Sequence, residues 1–187
     1  MLAFITDESV LVFATDEATL PDAVRPPGRF PPSRPLEGDT DGGPGHWVTI
    51  RRSGEWVPYQ GQISGVPRTI TGETMEYRVP YDPLPDEVED HVDFDGHEWR
   101  GDPPQEIFLD AKEKYESVFI TPKWDKLPDK QLKKFEKQAA RQVRALEQNG
   151  SAGRIEWHFS NEEVADIVRD YFNDNGIEVT VVYTPEK

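Results

Sequence analysis

Val92 and Phe94 alternate with Asp93 and Asp95 in "HVDFDGHEW" (91–99), and a strand over "EIFLDAK" (106–112) sets Ile107, Leu109 and Ala111 on one face and Phe108, Asp110 and Lys112 on the other. The turn "RGDPPQ" between them predicts an antiparallel pair. Upstream, "WVTIRR", "EWVPYQGQISG" and "MEYRVPY" read as strands in broken succession, and "DPLPDEVED" (82–90) reads as an acidic turn. "SVFITPKW" (117–124) extends or follows the sheet. The period changes to 3.6 at 129–148, where Leu132, Phe135, Ala139, Val143 and Leu146 share one stripe. Asp129 caps that helix, Gly150 stops it, and Lys130, Lys133, Lys134, Lys137, Arg141 and Arg144 lie opposite the stripe, as a solvated face. "RIEWHF" (154–159) is a strand with Ile155, Trp157 and Phe159 on one face. Ser160 and Glu163 form a capping box for the helix "NEEVADIVRDYFNDNG", Gly176 ends it, and "IEVTVVY" closes the chain as a strand. Strand, helix, strand with short links is a βαβ unit, so part of the sheet is parallel. The predicted class is α/β, with a mixed central sheet flanked by helices.

The first 45 residues break this regularity. "LAFIT" and "VLVFAT" suggest a small hairpin, and residues 25–45 are dense in Pro, Gly and Asp. The expected division is a hairpin and linker over 1–45 and a compact domain over 46–187. "MLAFITDESVLVF" lacks a basic leading segment and carries Asp7 and Glu8, so it does not read as a signal peptide. The expectation is synthesis in the cytoplasm and export by a specialised route. No apolar run reaches the roughly 18–20 residues of a membrane span, so no membrane insertion is expected.

With no cysteine, any metal must sit on oxygen or imidazole. Charge is unevenly placed. The net charge is −15, yet residues 100–154 carry 12 basic and 9 acidic side chains and form the one segment that would not repel a polyanion. In it lie Asp110 and Lys112, two apart and directly after an apolar run. A surface ion pair is the plain reading. The other is phosphodiester cleavage, which needs a carboxylate-held divalent ion and a lysine beside it. A second acid on the neighbouring strand would complete that kit. Asp93 and Asp95 share a face, and Asp95 is favoured because it ends the apolar run and Gly96 beside it leaves room for a phosphate or metal.

The segments "YQGQISG", "VDFDG", "IFLDAK", "QAARQ", "IEWHF" and "GIEVTVVYTP" stand in the order seen in restriction-endonuclease-fold toxin family 5. The chain resembles that family over roughly 59–185. It comprises toxin domains of bacterial polymorphic and secreted effectors within the PD-(D/E)-x-K nuclease superfamily. The resemblance implies a restriction-endonuclease-like core, Asp95 and Asp110 as ligands of Mg²⁺ or Mn²⁺, and Lys112 as the catalytic lysine. It also implies Gln142 as the helix glutamine that holds a water or phosphate oxygen. Gln142 lies about 80° from Leu132 on the wheel, and Gln138, further round, is the weaker candidate. The implied activity is a metal-dependent nuclease, acting on DNA in preference to RNA, as the toxic domain of an interbacterial effector in the target-cell cytoplasm. A cognate immunity protein is the implied partner; the charge map favours docking over 100–154, with the acidic remainder as the alternative surface. The alternatives are an inactive module of this fold that binds a protein, or the same chemistry on RNA. Where the family has Glu-Ala-Lys-Gly, this chain has Asp110-Ala111-Lys112-Glu113, which shortens the acid's reach. His158 is expected to be a hydrogen-bonded structural histidine, Gln60 and Gln62 turn residues, and the tryptophans core or core edge.

Overall fold

The structure is a computed structural model that describes residues 34–51, 57–66 and 68–187; the expected hairpin of the first 20 residues lies outside these. In chain order the elements are β1 (His46–Arg51), α1 (Val57–Ser64), β2 (Glu73–Pro80), β3 (His91–Phe94), β4 (Gly96–Arg100) and β5 (Gln105–Lys112). There follow α2 (Glu116–Phe119), α3 (Leu127–Gln148), β6 (Arg154–Phe159), α4 (Glu162–Asp174) and β7 (Thr180–Tyr183). β1, β2 and β3 form an antiparallel sheet, and a second sheet runs in the order β4-β5-β6-β7. β4 pairs with β5 antiparallel, whereas β5–β6 and β6–β7 are parallel. The class is therefore α/β with a mixed sheet flanked by helices, as the pattern predicted.

Three elements depart from the expected ones. "VPYQGQIS", read as part of a broken strand, is the helix α1. Eight residues with a central glycine cannot sustain a helix alone. Packing sustains this one, with Tyr59 and Gln60 buried and the Tyr59 hydroxyl donating to Thr184 O at 2.8 Å. Gln62, on the next turn, pins the tail through Pro185 O (2.8 Å) and Lys187 N (2.9 Å), so neither glutamine is a turn residue. "ESVF" is a short helix, not a strand, and Phe119 packs from it near Phe135, 6.2 Å between rings. "HVDFDGHEW" is not one strand. It breaks at Asp95, and its halves serve different sheets.

The two long helices follow the sequence closely. α3 begins at Leu127, before the expected cap Asp129, which lies with Pro128 inside the first turn, where the proline's missing amide hydrogen is not needed. It buries Leu132, Phe135, Ala139, Gln142, Ala145 and Leu146. α4 is capped by Asn161, whose Oδ1 accepts from Val164 N at 3.0 Å, and not by the predicted Ser160–Glu163 box. Both helices cover one face of the mixed sheet. Trp157 packs edge-on against Phe135 from α3 and against Phe172 from α4, each at 5.3 Å. Residues 38–45, within the expected linker, hydrogen-bond to the sheets: Trp47 N donates to Asp39 O (2.9 Å) and Trp99 Nε1 to Asp41 O (2.9 Å). A side chain at Gly43 would lie 2.5 Å from the Tyr77 hydroxyl. Among the described residues no helix is long and apolar enough to cross a membrane.

Candidate active site

The parallel register of β5 on β6 sets Asp110 beside Trp157 and Lys112 beside Phe159. The alternation that buries Phe108 therefore points Asp110 and Lys112 at the helices, not at solvent. Asp110 is 5% exposed and Lys112 6%. Lys112 Nζ donates to Asp110 Oδ1 at 2.6 Å, a distance typical of a charge-assisted bond. Its ammonium also lies 4.2 Å from the Trp157 ring centroid and 5.9 Å from that of Phe135. Aromatic faces thus flank this buried amine on one side and a carboxylate on the other.

Two glutamines of α3 complete the shell of Asp110. Gln142 Nε2 donates to Oδ2 at 2.9 Å, and Gln138 Nε2 donates to the same oxygen at 2.7 Å. Gln142 is 1% exposed, and its Oε1 accepts from Trp157 Nε1 at 2.8 Å. Both ends of its amide are thus engaged, in a chain from the indole through Gln142 to Asp110. Gln138 Oε1 accepts from Lys112 Nζ at 3.3 Å. One amide therefore bridges the acid and the amine. The weaker candidate by wheel position touches both members of the pair.

Asp95 stands at the break between β3 and β4. Its Oδ2 accepts from Ala111 N at 2.6 Å, which binds it to the backbone between Asp110 and Lys112. Loss of water around the carboxyl, followed by the nearby Asp110 charge, raises its pKa well above the usual carboxylate range. Glu76, buried in β2, adds a smaller push in the same direction. Gln60 Nε2 of α1 donates to Glu76 Oε1 at 3.4 Å. Asp93 lies elsewhere, in a two-pronged pair with Arg78 at 2.7 and 2.8 Å. The room expected beside Gly96 is taken by the protein. A Cβ there would lie 2.9 Å from Ser64 Cα and 3.2 Å from Leu109 Cδ1. Glycine lets α1 close on the sheet; it does not admit a ligand.

Among the described residues no group of three or more His, Asp or Glu side chains converges to hold a metal. Two neighbouring carboxylates, one of them disfavoured by the charge of the other, nonetheless suit a hard divalent ion, since Mg²⁺ takes one or two protein carboxylates and completes its shell with water and phosphate. Asp95 and Asp110 are the residues that would hold it.

His158 lies on the other face of the sheet. Its Nδ1 is 2.9 Å from Thr184 Oγ1 and its Nε2 3.4 Å from Glu156 Oε2. Glu156 is also paired with Arg100 (2.8 Å) and Arg154 (2.6 Å). His158, then Arg100, hold its carboxyl at about 2, below the ordinary 4.5. This cluster is structural.

Sequence reasoning missed Gln138 as a contact of the pair, Glu76, and the indole behind Gln142. A signal existed for the first: Gln138 and Gln142 are four apart, hence stacked on one helix face.

The sequence model of a family described as restriction endonuclease fold toxin 5 matches residues 56–162. That span contains Asp95, Asp110, Lys112, Gln138 and Gln142, and it ends at the start of α4. No curated protein and no solved structure matches the chain.

Proposed function

Because the chain belongs to the restriction endonuclease fold toxin 5 family, whose sequence model spans more than half of it, we propose that it is a metal-dependent nuclease that cuts DNA. It acts as the toxic domain of an interbacterial secreted effector, exported by a specialised route, in the cytoplasm of the target cell. The observation that carries this reading is the buried Asp110–Lys112 pair, held by two glutamines next to Asp95. A surface ion pair would have no need of that shell.

In the reaction a water oxygen bonds to phosphorus, the bond from phosphorus to the leaving oxygen breaks, the water loses a proton and the leaving oxygen gains one. A bound Mg²⁺ or Mn²⁺ supplies Lewis acidity at the phosphoryl oxygen and a more acidic water. Asp95 and Asp110 would hold the ion. Gln142, fixed by the Trp157 indole, sets the Asp110 carboxylate in one orientation. Lys112 donates either to the attacking water or to a phosphoryl oxygen as negative charge grows there. To do so its ammonium exchanges one of its present acceptors, Asp110 or Gln138, for the new one. Trp157 and Phe135 beneath it keep bulk water from competing.

Plasmid DNA and total RNA, each incubated with Mg²⁺, Mn²⁺ or EDTA, test the reading. The expected outcome is metal-dependent nicking of plasmid that Asp110→Ala and Lys112→Ala both abolish. Cleavage of RNA alone would move the substrate. Intact plasmid and RNA under both metals would favour a partner-binding module, a second reading that the closed Lys112–Asp110–Gln138 bridge itself supports. A nuclease toxin endangers its producer, so a cognate immunity protein is part of the proposal. The surface over Gln138 and α3, within the net-positive segment 100–154, is its expected footprint.

A further inference from the structure

Five acidic residues stand between positions 82 and 90, and this segment lies over α3 rather than projecting as an ordinary turn. Arg141 Nη1 donates to Glu89 Oε2 at 2.7 Å, and Arg144 Nη2 donates to Glu87 Oε1 at 2.8 Å. The Arg144 guanidinium also sits 5.4 Å from the Tyr81 ring centroid. Gln148 ties down the start of the segment, accepting from Asp82 N at 2.7 Å and donating to Asp82 O at 3.2 Å. Between segment and helix runs a groove of about 830 Å³, with Leu84 and Glu87 on one wall, Lys134, Lys137 and Gln138 on the other, and Tyr115 also lining it.

Lys130, Lys134, Lys137, Arg141 and Arg144 recur at intervals of four, three, four and three. At 100° per residue they form one stripe about 80° wide, and Gln138 falls just outside its edge. The row expected to be solvated therefore borders the glutamine that touches both Asp110 and Lys112, and two of its cations are already covered by carboxylates. A polyanion that reached Asp110 past Gln138 would run along this stripe.

We propose that the groove is the phosphate track of the nuclease, and that residues 82–90 are a built-in phosphate mimic that occupies Arg141 and Arg144 until DNA displaces it. This rests on the nuclease reading above. The Arg141–Glu89 pair, 34% and 62% exposed, contributes little to stability and exchanges easily. Arg144–Glu87 is more covered, at 22% and 18%, and Glu87 also accepts from Leu84 N and the Tyr81 hydroxyl, so it is the contact that DNA has to break. DNA phosphates meeting the same arginines gain from release of condensed counterions. The segment is also poorly anchored by apolar contact, since Val88 is 97% and Leu84 48% exposed. Lifting it uncovers little hydrophobic surface. A brace built for stability would bury those side chains.

Binding of the full chain to a fluorescein-labelled duplex oligonucleotide, in EDTA so that nothing is cut, separates the possibilities. Glu87→Gln/Glu89→Gln is compared with Asp170→Asn/Glu178→Gln, which has the same net charge and alters exposed acids outside the groove. The loop variant is expected to bind roughly tenfold more tightly than this control at low salt. Adding Arg141→Gln/Arg144→Gln to the loop variant should reduce the slope of log affinity against log salt by about 2. Thermal melts confirm that each variant is folded. Equal affinity of loop variant and control, or an unchanged salt slope, overturns the track while leaving metal-dependent cleavage by the wild type intact. A wild type that neither binds duplex nor cuts plasmid removes the nuclease reading, and the track with it.

Discussion

A double-mutant cycle on Asp110 and Lys112 asks most of the site. The two groups are 2.6 Å apart with side chains 8% and 6% exposed, so neither charge can recover its hydration if the other is removed. Breaking such a pair from one side costs about 3–5 kcal/mol. Lys112→Met keeps the stem packed on Trp157 and Phe135 but strands the carboxylate. It belongs near the lower end of that range, because Gln138 and Gln142 still donate to Asp110. Asp110→Asn removes the ammonium's countercharge and leaves it a neutral amide oxygen, Gln138 Oε1 and the Trp157 face. Each single change should then cost about 3 kcal/mol, and the double change about the same, because it removes both charges together. The coupling is about 3 kcal/mol, against the 0.3–0.5 kcal/mol by which independent sites fail to add. Urea unfolding followed by tryptophan fluorescence, in EDTA, measures all four corners. None of the three variants should cut plasmid. Additivity within about 0.5 kcal/mol would mean that the pair behaves as a surface ion pair, and the buried-site reasoning would fail.

Gly96→Ala should destabilise by roughly 1–3 kcal/mol, because its methyl meets Ser64 backbone at 2.9 Å and α1 must shift; an unchanged urea midpoint would contradict the close approach. Glu156 should mark acid unfolding. Its pKa is lowered on folding, so the stability it lends is present above 4.5 and lost as pH falls from there to about 2. That loss is about 3 kcal/mol at most, and Glu156→Gln should lack it; parallel stability–pH curves for the two proteins would refute the assignment. Mg²⁺ at about 100 times its dissociation constant should raise stability by about 2.7 kcal/mol, or several degrees in Tm. The shift should vanish in Asp110→Ala, and its survival there would place the ion elsewhere.

Much of this was legible because the periods were long and clean. The stripe from Leu132 to Leu146 and the alternation of "EIFLDAK" specify α3 and β5, and with them the face that Asp110 and Lys112 share. Short elements were not legible. α1 is a helix because Tyr59 and Gln60 are buried by distant strands, which no window of eight residues contains. The division of "HVDFDGHEW" between two sheets was hidden for a related reason: the alternation of Val92, Asp93, Phe94 and Asp95 runs into the break without a fault, and nothing local shows that the partner strand changes there. Gln138 was underrated because a wheel measures distance from the apolar centre. An active-site helix places its working residues at the border of that stripe, where a side chain reaches a buried acid while its Cα stays near solvent.

The same substitution at the two aspartates should move stability in opposite directions, and this separates their roles better than activity can. Asp110 accepts from Lys112, Gln138 and Gln142, so the fold has built its compensation and loses it when the charge goes. Asp95 accepts from Ala111 N and faces the like charge of Asp110 and, more weakly, that of Glu76, offset only in part by Lys112. A carboxyl whose pKa rises on folding costs stability at neutral pH, because the unfolded chain ionises it more readily. Asp95→Asn keeps an oxygen for Ala111 N and removes the repulsion. It should therefore stabilise the metal-free protein, by about 0.5–2 kcal/mol as is common for relieved functional sites, while Asp110→Asn destabilises it. Both should lose metal-dependent cleavage. Urea midpoints in EDTA decide the point: a destabilised Asp95→Asn would mean that the fold already neutralises this carboxylate. The physical reason for assigning it to a cation would then be gone.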